Sequence, residues 1–173
     1  MPVLDLALPA SPPHARKSVV DVGLMPIQLE NGCSEEHCSI ESDDPVLTNF
    51  IRRHYLEHFG HRDLDGMVSD YAEKAVMVNI VNGERKTHRG KMEIESSFRD
   101  IFKLHPTVNS TFELKHIVIH DRNAMVVWIA KTPTHVFPQS SDHFMFDDSG
   151  KISKQFFSCQ INELENPWYV SDD

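Results

Sequence analysis

Apolar residues recur at helical spacing in three stretches of the sequence. The first stretch opens at Asp44-Pro45, where an aspartate can cap a helix and a proline can take its first position. The apolar stripe that follows consists of Val46, Leu47, Phe50, Ile51, Tyr55 and Phe59. A second, short helix is predicted over 63–71. A third is predicted from Gly90, with core positions at Ile94, Phe98, Ile101 and Phe102.

Alternating apolar and polar residues predict strands in the rest of the chain. Residues 75–81 and 84–88 form a hairpin around Asn82-Gly83, a strong two-residue turn signal. After Pro106, strands are predicted over 111–119 and 124–135, with 138–140 as a short connection into a hairpin over 141–160. The order is helix, helix, hairpin, helix and a four-stranded antiparallel meander, which indicates an α+β fold.

The last hairpin places a carboxylate on an apolar face. Asp142, Phe144 and Phe146 alternate with His143 and Met145, so the aspartate shares the face of the two phenylalanines. Burying a carboxylate costs free energy unless it is paired, hydrogen-bonded or protonated. Asp142 therefore either has a functional role, or lies on an edge strand or a twist that exposes it to water.

Further side chains share faces with this position or need a polar partner. Tyr55 belongs to the core stripe, so its hydroxyl group must find a hydrogen-bond partner. Two strand faces hold the sets Met77, Asn79 and Val81, and Gln155, Phe157 and Cys159, and the long strand carries Trp128. A lone thiol on an apolar face predicts packing for Cys159, not a nucleophile.

Charge and length exclude several classes of function. The 173 residues include 26 acidic and 17 basic residues and no basic run, which argues against nucleic acid and anionic membranes as partners. No apolar run approaches the ~20 residues of a membrane span. The N-terminus lacks a signal-peptide pattern, and three cysteines make no disulfide framework. We therefore expect a cytoplasmic protein.

Composition divides the chain into three parts. Residues 1–44 are rich in proline and then in Ser, Glu and Asp, and form a predicted N-terminal extension that is flexible or docks on a protein partner. Within it, residues 18–25 could add a short strand. Residues 45–165 form the predicted domain, and 166–173 an acidic tail.

Two groups of residues have a partial metal-site pattern. Cys33 and Cys38 flank His37, but no second cysteine pair follows. His54 and His58 lie four residues apart, and a metal hydrolase could add His61, but no glutamate follows the first histidine as in a zincin. A solvent-exposed helix edge explains these histidines better, so we predict neither a metal nor a cofactor.

The order of these elements resembles the nuclear transport factor 2-like fold, in which three N-terminal helices close a cone-shaped, curved antiparallel sheet. The local motifs are similar to those of ketosteroid isomerases and SnoaL-like polyketide cyclases over about residues 45–162. The motifs that carry the resemblance are Tyr55 eight residues before Asp63-Leu64, Tyr71-Ala72, and Asp142-His143-Phe144 before Phe146 and Gly150-Lys151.

The isomerase resemblance implies roles for several of these residues. It makes Tyr55 the oxyanion-hole tyrosine, Asp142 a protonated acid that donates a hydrogen bond, and Tyr71 their support. The position of the isomerase base holds Asn79, whose amide cannot act as a base near neutral pH. Phe98 stands where some isomerases have another tyrosine.

The cyclase resemblance implies a different mechanism. It pairs Thr134-His135, at the end of the predicted long strand, with an acidic base on the next strand, for which Asp142 is the candidate. Here Asp142 abstracts a carbon-bound proton while His135 donates to the oxygen atom. The connecting loop is shorter than in that family. One carboxyl group cannot be both neutral donor and ionised base, so the two mechanisms are rivals.

Two functions follow from these resemblances. The first is a cofactor-free isomerase or cyclase for a small apolar carbonyl compound, with Tyr55, Asn79, His135 and Asp142 as its catalytic site. The pocket residues expected around that site are Tyr71, Met77, Phe98, Trp128, Phe144, Gln155, Phe157 and Cys159. The second is a non-catalytic ligand-binding or assembly subunit that lacks the base. The family usually pairs through its outer sheet face, which implies a homodimer.

Overall fold

The computed structural model describes residues 33–34 and 37–165, with side chains from residue 37 onward. The helices are α1 (Pro45–Arg52), which continues directly as a π-helical segment (Arg53–Phe59), α2 (Leu64–Ser69) and α3 (Gly90–Leu104). The strands are β1 (Cys33–Ser34), β2 (Ser39–Ser42), β3 (Tyr71–Val81), β4 (Glu84–Arg89), β5 (Thr111–His120), β6 (Asn123–Lys131), β7 (His135–Phe146), β8 (Ile152–Cys159) and β9 (Asn162–Glu163). Residues 18–25, which could add a short strand, lie outside the described residues.

The first helix begins as its sequence predicts. The Asp44 carboxylate accepts hydrogen bonds from the backbone N–H groups of Val46 and Leu47, with N–O distances of 2.8 and 3.0 Å, and Pro45 occupies the first turn. Most of the predicted stripe is buried, but Val46 is 75% exposed, whereas Leu47 in the same turn is buried.

The π-helical segment carries two buried side chains with polar groups, His54 and Tyr55. Its wider turns include hydrogen bonds from the Gly60 N–H to the Tyr55 carbonyl oxygen and from the Asp63 N–H to that of His58. His54 and Tyr55 are both buried, seven and eight residues after Leu47 on the buried side of the helix. The interpretation of His54 as part of a solvent-exposed edge is therefore wrong.

The strands form one open, mixed sheet in the order β1-β5-β6-β7-β8-β3-β4, with β2 also paired to β5 and β9 to β7. The predicted antiparallel meander over β5–β8 is confirmed. The prediction of a wholly antiparallel sheet is wrong, because β3 runs parallel to β8, and β1 and β2 run parallel to β5. The α+β class is confirmed, while the cone closed by three N-terminal helices stays a prediction. Helix α3 lies between β4 and β5, not before the sheet.

One strand boundary was predicted wrongly. Strand β6 ends at Lys131, and the Thr132 N–H bonds to the His135 carbonyl oxygen at 2.8 Å in a tight turn. Strand β7 therefore starts at His135 and includes Pro138. The β6–β7 pairing is irregular at this point, so a proline without an N–H group can be accommodated inside the strand.

Two smaller sequence predictions have opposite outcomes. The Asn82-Gly83 turn is confirmed, with φ angles of 50° and 84°, as the tight hairpin turn requires. Tyr71, predicted as the end of the second helix, is instead the first residue of β3. The predicted domain boundaries stay predictions, although β1 and β2 lie within the predicted N-terminal extension and pair with the sheet.

Candidate functional site

Asp142 lies in the middle of the sheet, on the face that carries the core. Its strand β7 is paired on both sides, with Val126 of β6 and Phe157 of β8 opposite the aspartate. The residue is 2% exposed, whereas its neighbour His143 faces solvent. The alternative of an edge strand or an exposed carboxylate is therefore wrong.

Three neutral groups donate hydrogen bonds to this carboxylate. The Tyr55 hydroxyl and the Trp128 indole N–H donate to Oδ2 at 2.5 and 2.8 Å. The Gln155 amide donates to Oδ1 at 2.6 Å, and its own carbonyl oxygen accepts from the Tyr71 hydroxyl. Residues from the π-helical segment and from β3, β6, β7 and β8 thus form one network around Asp142.

Burial sets the charge preferences in this network. Burial raises the pKa of the Asp142 carboxyl above its ordinary value, although the bonds from Tyr55, Trp128 and Gln155 act in the opposite direction. Burial and the charge of Asp142 also raise the pKa of the Tyr55 hydroxyl well above its usual value. Tyr55 therefore remains a hydrogen-bond donor, and Asp142 is the group of this pair that can exchange a proton.

The network lies beside a cavity of about 560 Å³ between the sheet and the helices. The predicted site residues that line this cavity are Tyr55, Met77, Asn79, Phe98, Trp128, Asp142, Gln155 and Phe157. Tyr71 and Phe144 do not line the cavity. Tyr71 joins the network through its hydrogen bond to Gln155, and Phe144 is buried in the core. The volume of the cavity suits a small molecule with an apolar body.

The structure does not bring His135 to this cavity. His135 opens β7, and Asp142 lies seven residues further along the same strand, about 23 Å away at the rise of an extended strand. Its Nδ1 contacts the Thr134 hydroxyl at 2.7 Å. The expected pair of His135 and Asp142 on neighbouring strands is therefore wrong, because the turn comes before His135 and not after it.

Neither Asn79 nor Cys159 acts as a base in this site. The Asn79 side-chain N–H₂ donates to the Ser97 hydroxyl at 3.0 Å, and an amide cannot replace a carboxylate base. Cys159 lines another depression, next to Ser140, and burial raises the pKa of its thiol to about 12. A thiol with so high a pKa carries almost no thiolate, which agrees with the predicted packing role.

A second buried cluster was missed in the sequence. The Asp70 carboxylate accepts hydrogen bonds from Nδ1 of His54 and His58 at 2.8 and 3.0 Å, and from the Arg53 guanidinium at 3.1 Å. Burial acts to raise the pKa of Asp70, but the hydrogen bonds and charges of the two histidines outweigh it, so the pKa lies below its usual value. The histidine spacing was visible in the sequence, but nothing there indicated Asp70.

This cluster is also where a metal ion would find ligands among the described residues. The ligand atoms of His54, His58 and Asp70 all lie within 4.8 Å of one another. The two N–O separations are hydrogen-bond lengths, and the Arg53 guanidinium against the same carboxylate disfavours a further cation. His61, expected in a metal hydrolase, is exposed and bonds the Glu57 carbonyl oxygen instead.

A second missed residue, His105, lines the same cavity as Asp142. It follows α3 and is 1% exposed, with its ring against that of Phe137 at 4.1 Å between centroids. Burial, with smaller effects of Arg62 and His135, lowers the pKa of its imidazole to about 3. No spacing or motif in the sequence indicated this histidine.

Comparison with protein families supports the predicted resemblance. The family model of the SnoaL-like domain matches residues 51–155, and the chain belongs to this family. A comparison with curated proteins gives no match. Among the described residues, no helix has both the length and the apolar character needed to cross a membrane.

Several solved structures share the fold at low sequence identity. A SnoaL-like protein of unknown function from Burkholderia thailandensis is 15% identical, with a TM-score of 0.55 over 68% of this chain and 98% of that one. An NTF2-like protein of unknown function from Mesorhizobium loti is 18% identical, with a TM-score of 0.57 over 70% and 98%. The epoxide hydrolase/cyclase-like enzyme SalBIII, which acts in pyran ring formation in the polyether salinomycin, is 18% identical, with a TM-score of 0.56 over 71% and 100%. At these identities the likeness concerns the fold alone.

Proposed function

We propose that this protein is a cofactor-free acid/base enzyme, an isomerase or cyclase, that moves a carbon-bound proton in a small, largely apolar carbonyl compound. The observation that carries this proposal is the Asp142 carboxylate, which is 2% exposed, lines a cavity of about 560 Å³ and has only neutral hydrogen-bond donors among the described residues. A carboxylate in a dry cavity is a stronger base than one in water.

Asp142 is the proton acceptor in this proposal. The C–H bond next to the substrate carbonyl breaks, its proton passes to Asp142, and its electron pair moves to the carbonyl oxygen to form an enolate. Protonation removes the charge that holds the Tyr55 hydroxyl, which then turns to the enolate oxygen. Asp142 returns the proton at another carbon in an isomerisation. In a cyclisation the enolate carbon forms a bond to a second carbonyl carbon, the electron pair of that C=O bond moves to its oxygen, and Asp142 returns the proton to this alkoxide.

Proton exchange tests this proposal directly. The full chain is incubated in D₂O with a panel of small cyclic and aromatic ketones, and the loss of the proton signal next to the carbonyl is followed by NMR. We expect faster exchange than in buffer for at least one ketone, and no acceleration with Asp142→Asn. Ketones that bind without faster exchange would contradict the proposal.

One observation favours a non-catalytic binding function as the second candidate. The position of the isomerase base holds Asn79, and its amide is engaged with Ser97 in the cavity wall. A ligand-binding or assembly subunit needs the cavity but no base, and a shared fold carries no activity by itself. Tight ligand binding without proton exchange is the result expected of this candidate.

We also propose that two copies of the chain pair through the outer face of the sheet. That face carries exposed apolar side chains on neighbouring strands, including Met125, Met145 and Phe156. Apolar residues on an exposed face are stabilised when a second copy covers them. Light scattering of the full chain at several concentrations is expected to give the mass of a dimer, and a monomer mass throughout would contradict this.

A further inference from the structure

His105 is a buried polar side chain whose hydrogen-bonding groups are unused. The residue is 1% exposed, and neither Nδ1 nor Nε2 has a hydrogen-bond partner among the described residues. A neutral imidazole offers one donor and one acceptor, and leaving either unpaired in an apolar interior is destabilising. Because His105 lines the cavity, a bound molecule can supply the partner.

Asn79 adds a second unpaired atom to the wall of the same cavity. Its N–H₂ group donates to the Ser97 hydroxyl, and its Oδ1 is buried without a partner among the described residues. If the amide is assigned the other way round, the unpaired atom becomes the N–H₂ group, and one polar atom still lacks a partner. The cavity therefore has unused hydrogen-bonding capacity outside the Asp142 network.

Trp128 contacts both Asp142 and His105. Its indole N–H donates to Asp142 at 2.8 Å, and its rings meet the imidazole of His105 edge to face at 6.1 Å between centroids. One aromatic side chain is thus in contact with both the Asp142 carboxylate and the His105 ring. Aromatic side chains, including Phe59 and Phe137, surround the imidazole on other sides.

We propose that the ligand of this cavity carries, besides the carbonyl group whose neighbouring C–H bond meets Asp142, a hydroxyl group one aromatic ring away that hydrogen-bonds to His105. The identity of the carbonyl end rests on the proposed function, but the hydroxyl subsite does not. A hydroxyl group both donates and accepts, which matches a neutral imidazole. The pKa of His105, lowered to about 3, keeps the ring neutral, so it offers no charge to an anionic group.

Two probes that differ by one hydroxyl group test this subsite. They are 4-hydroxyacetophenone, with its hydroxyl group one ring away from the carbonyl, and acetophenone. Their dissociation constants are measured with the full chain by NMR titration, at a pH where the phenol is neutral. We expect the wild type to bind the hydroxylated probe about tenfold more tightly, since a buried group left unpaired costs about that factor in affinity.

Substitution assigns the preference to one side chain. In His105→Phe the ring still packs against Phe137, and we expect the tenfold preference to disappear while the affinity for acetophenone is retained. The matched control is His143→Phe, on the solvent face of β7, which is expected to keep the preference. A wild type without preference, a preference that survives in His105→Phe, or no binding of either probe would overturn the proposal.

A wild-type measurement keeps the test decisive if the variant folds poorly. The ¹⁵N signals of the His105 ring are expected to shift on addition of 4-hydroxyacetophenone and to move much less with acetophenone; equal shifts would overturn the proposal. These readouts are independent of turnover. A hydroxyl preference without proton exchange contradicts the enzyme and supports the subsite, and exchange without the preference does the reverse.

Discussion

Two buried aspartates in this protein have opposite electrostatic environments. Asp70 is 1% exposed and Asp142 is 2% exposed, so burial alone does not distinguish them. Asp70 accepts hydrogen bonds from two histidines and an arginine, whereas the donors to Asp142 in the described part of the chain are all neutral. The pKa of Asp70 accordingly lies below its ordinary value and that of Asp142 above it.

The difference shows what the charge of the partners does to a buried carboxylate. The histidines and Arg53 offset the free-energy cost of removing water from the Asp70 carboxylate, so this carboxylate stays ionised and structural. Neutral donors orient Asp142 but offset less of that cost, so its charged form is poorly stabilised and accepts a proton readily. We therefore assign stability to the Asp70 cluster and propose chemistry at Asp142.

The largest effect is expected when the base is removed. In Asp142→Asn, proton exchange should fall by about 10²–10⁴-fold, the usual contribution of a positioned base. The fold should persist, because the Gln155 amide can rotate and offer its oxygen atom to the new amide. Exchange is followed by NMR and folding by circular dichroism. Asp148→Asn, at an exposed turn, is the control, and exchange retained in Asp142→Asn removes that residue from the mechanism.

The second effect concerns stability. Asp70→Asn removes the negative charge that two histidines and Arg53 share, and we expect the free energy of unfolding to fall by about 3 kcal/mol. Urea denaturation measures this change. Asp142→Asn should lose much less stability in the same experiment. If both variants lose the same amount, the distinction between the two aspartates is wrong.

A smaller effect is expected from the hydroxyl that contacts Asp142. Tyr55→Phe keeps the ring in the core but removes one donor, so proton exchange should slow by about tenfold, equivalent to ~1.4 kcal/mol. The melting temperature should change by no more than a few degrees. Tyr71→Phe removes a hydroxyl group that is hydrogen-bonded to Gln155 and not to Asp142 itself, so it should slow exchange less than Tyr55→Phe does. A large loss of stability in Tyr55→Phe would show that its hydroxyl is structural.

The smallest effect is a pair of opposite pH slopes. Because the pKa of Asp70 is lower in the folded state, its stabilisation is complete above its unfolded pKa and is lost as the pH falls through the folded pKa. Because the pKa of Asp142 is raised, this residue reduces stability as the pH rises from its unfolded pKa through its folded pKa. With rising pH, Asp70→Asn should lose stability relative to the wild type and Asp142→Asn should gain it. Urea titrations over the acid range give both slopes, and parallel slopes would contradict the assignment.

Local chemistry made several features of this protein predictable from its sequence. The Asp44 cap, the Asn82-Gly83 turn and the alternation around Asp142 depend on residues within a few positions of one another. The antiparallel meander follows from such strands joined by short turns. The pairing of Tyr55 with Asp142 was implied by the resemblance to a family and not by any local pattern.

The remaining features were decided by the tertiary structure. The parallel pairing of β3 with β8, the burial of His54 against Asp70 and the place of His105 in the cavity all join residues that are remote in sequence. A shift of the turn to residues 132–134 was enough to separate His135 from Asp142. The sequence by itself determined that helices α1 to α3, the strands of the meander and the turn at Asn82-Gly83 form, because these depend on neighbouring residues. Which polar groups meet inside depends on the packing of the whole sheet.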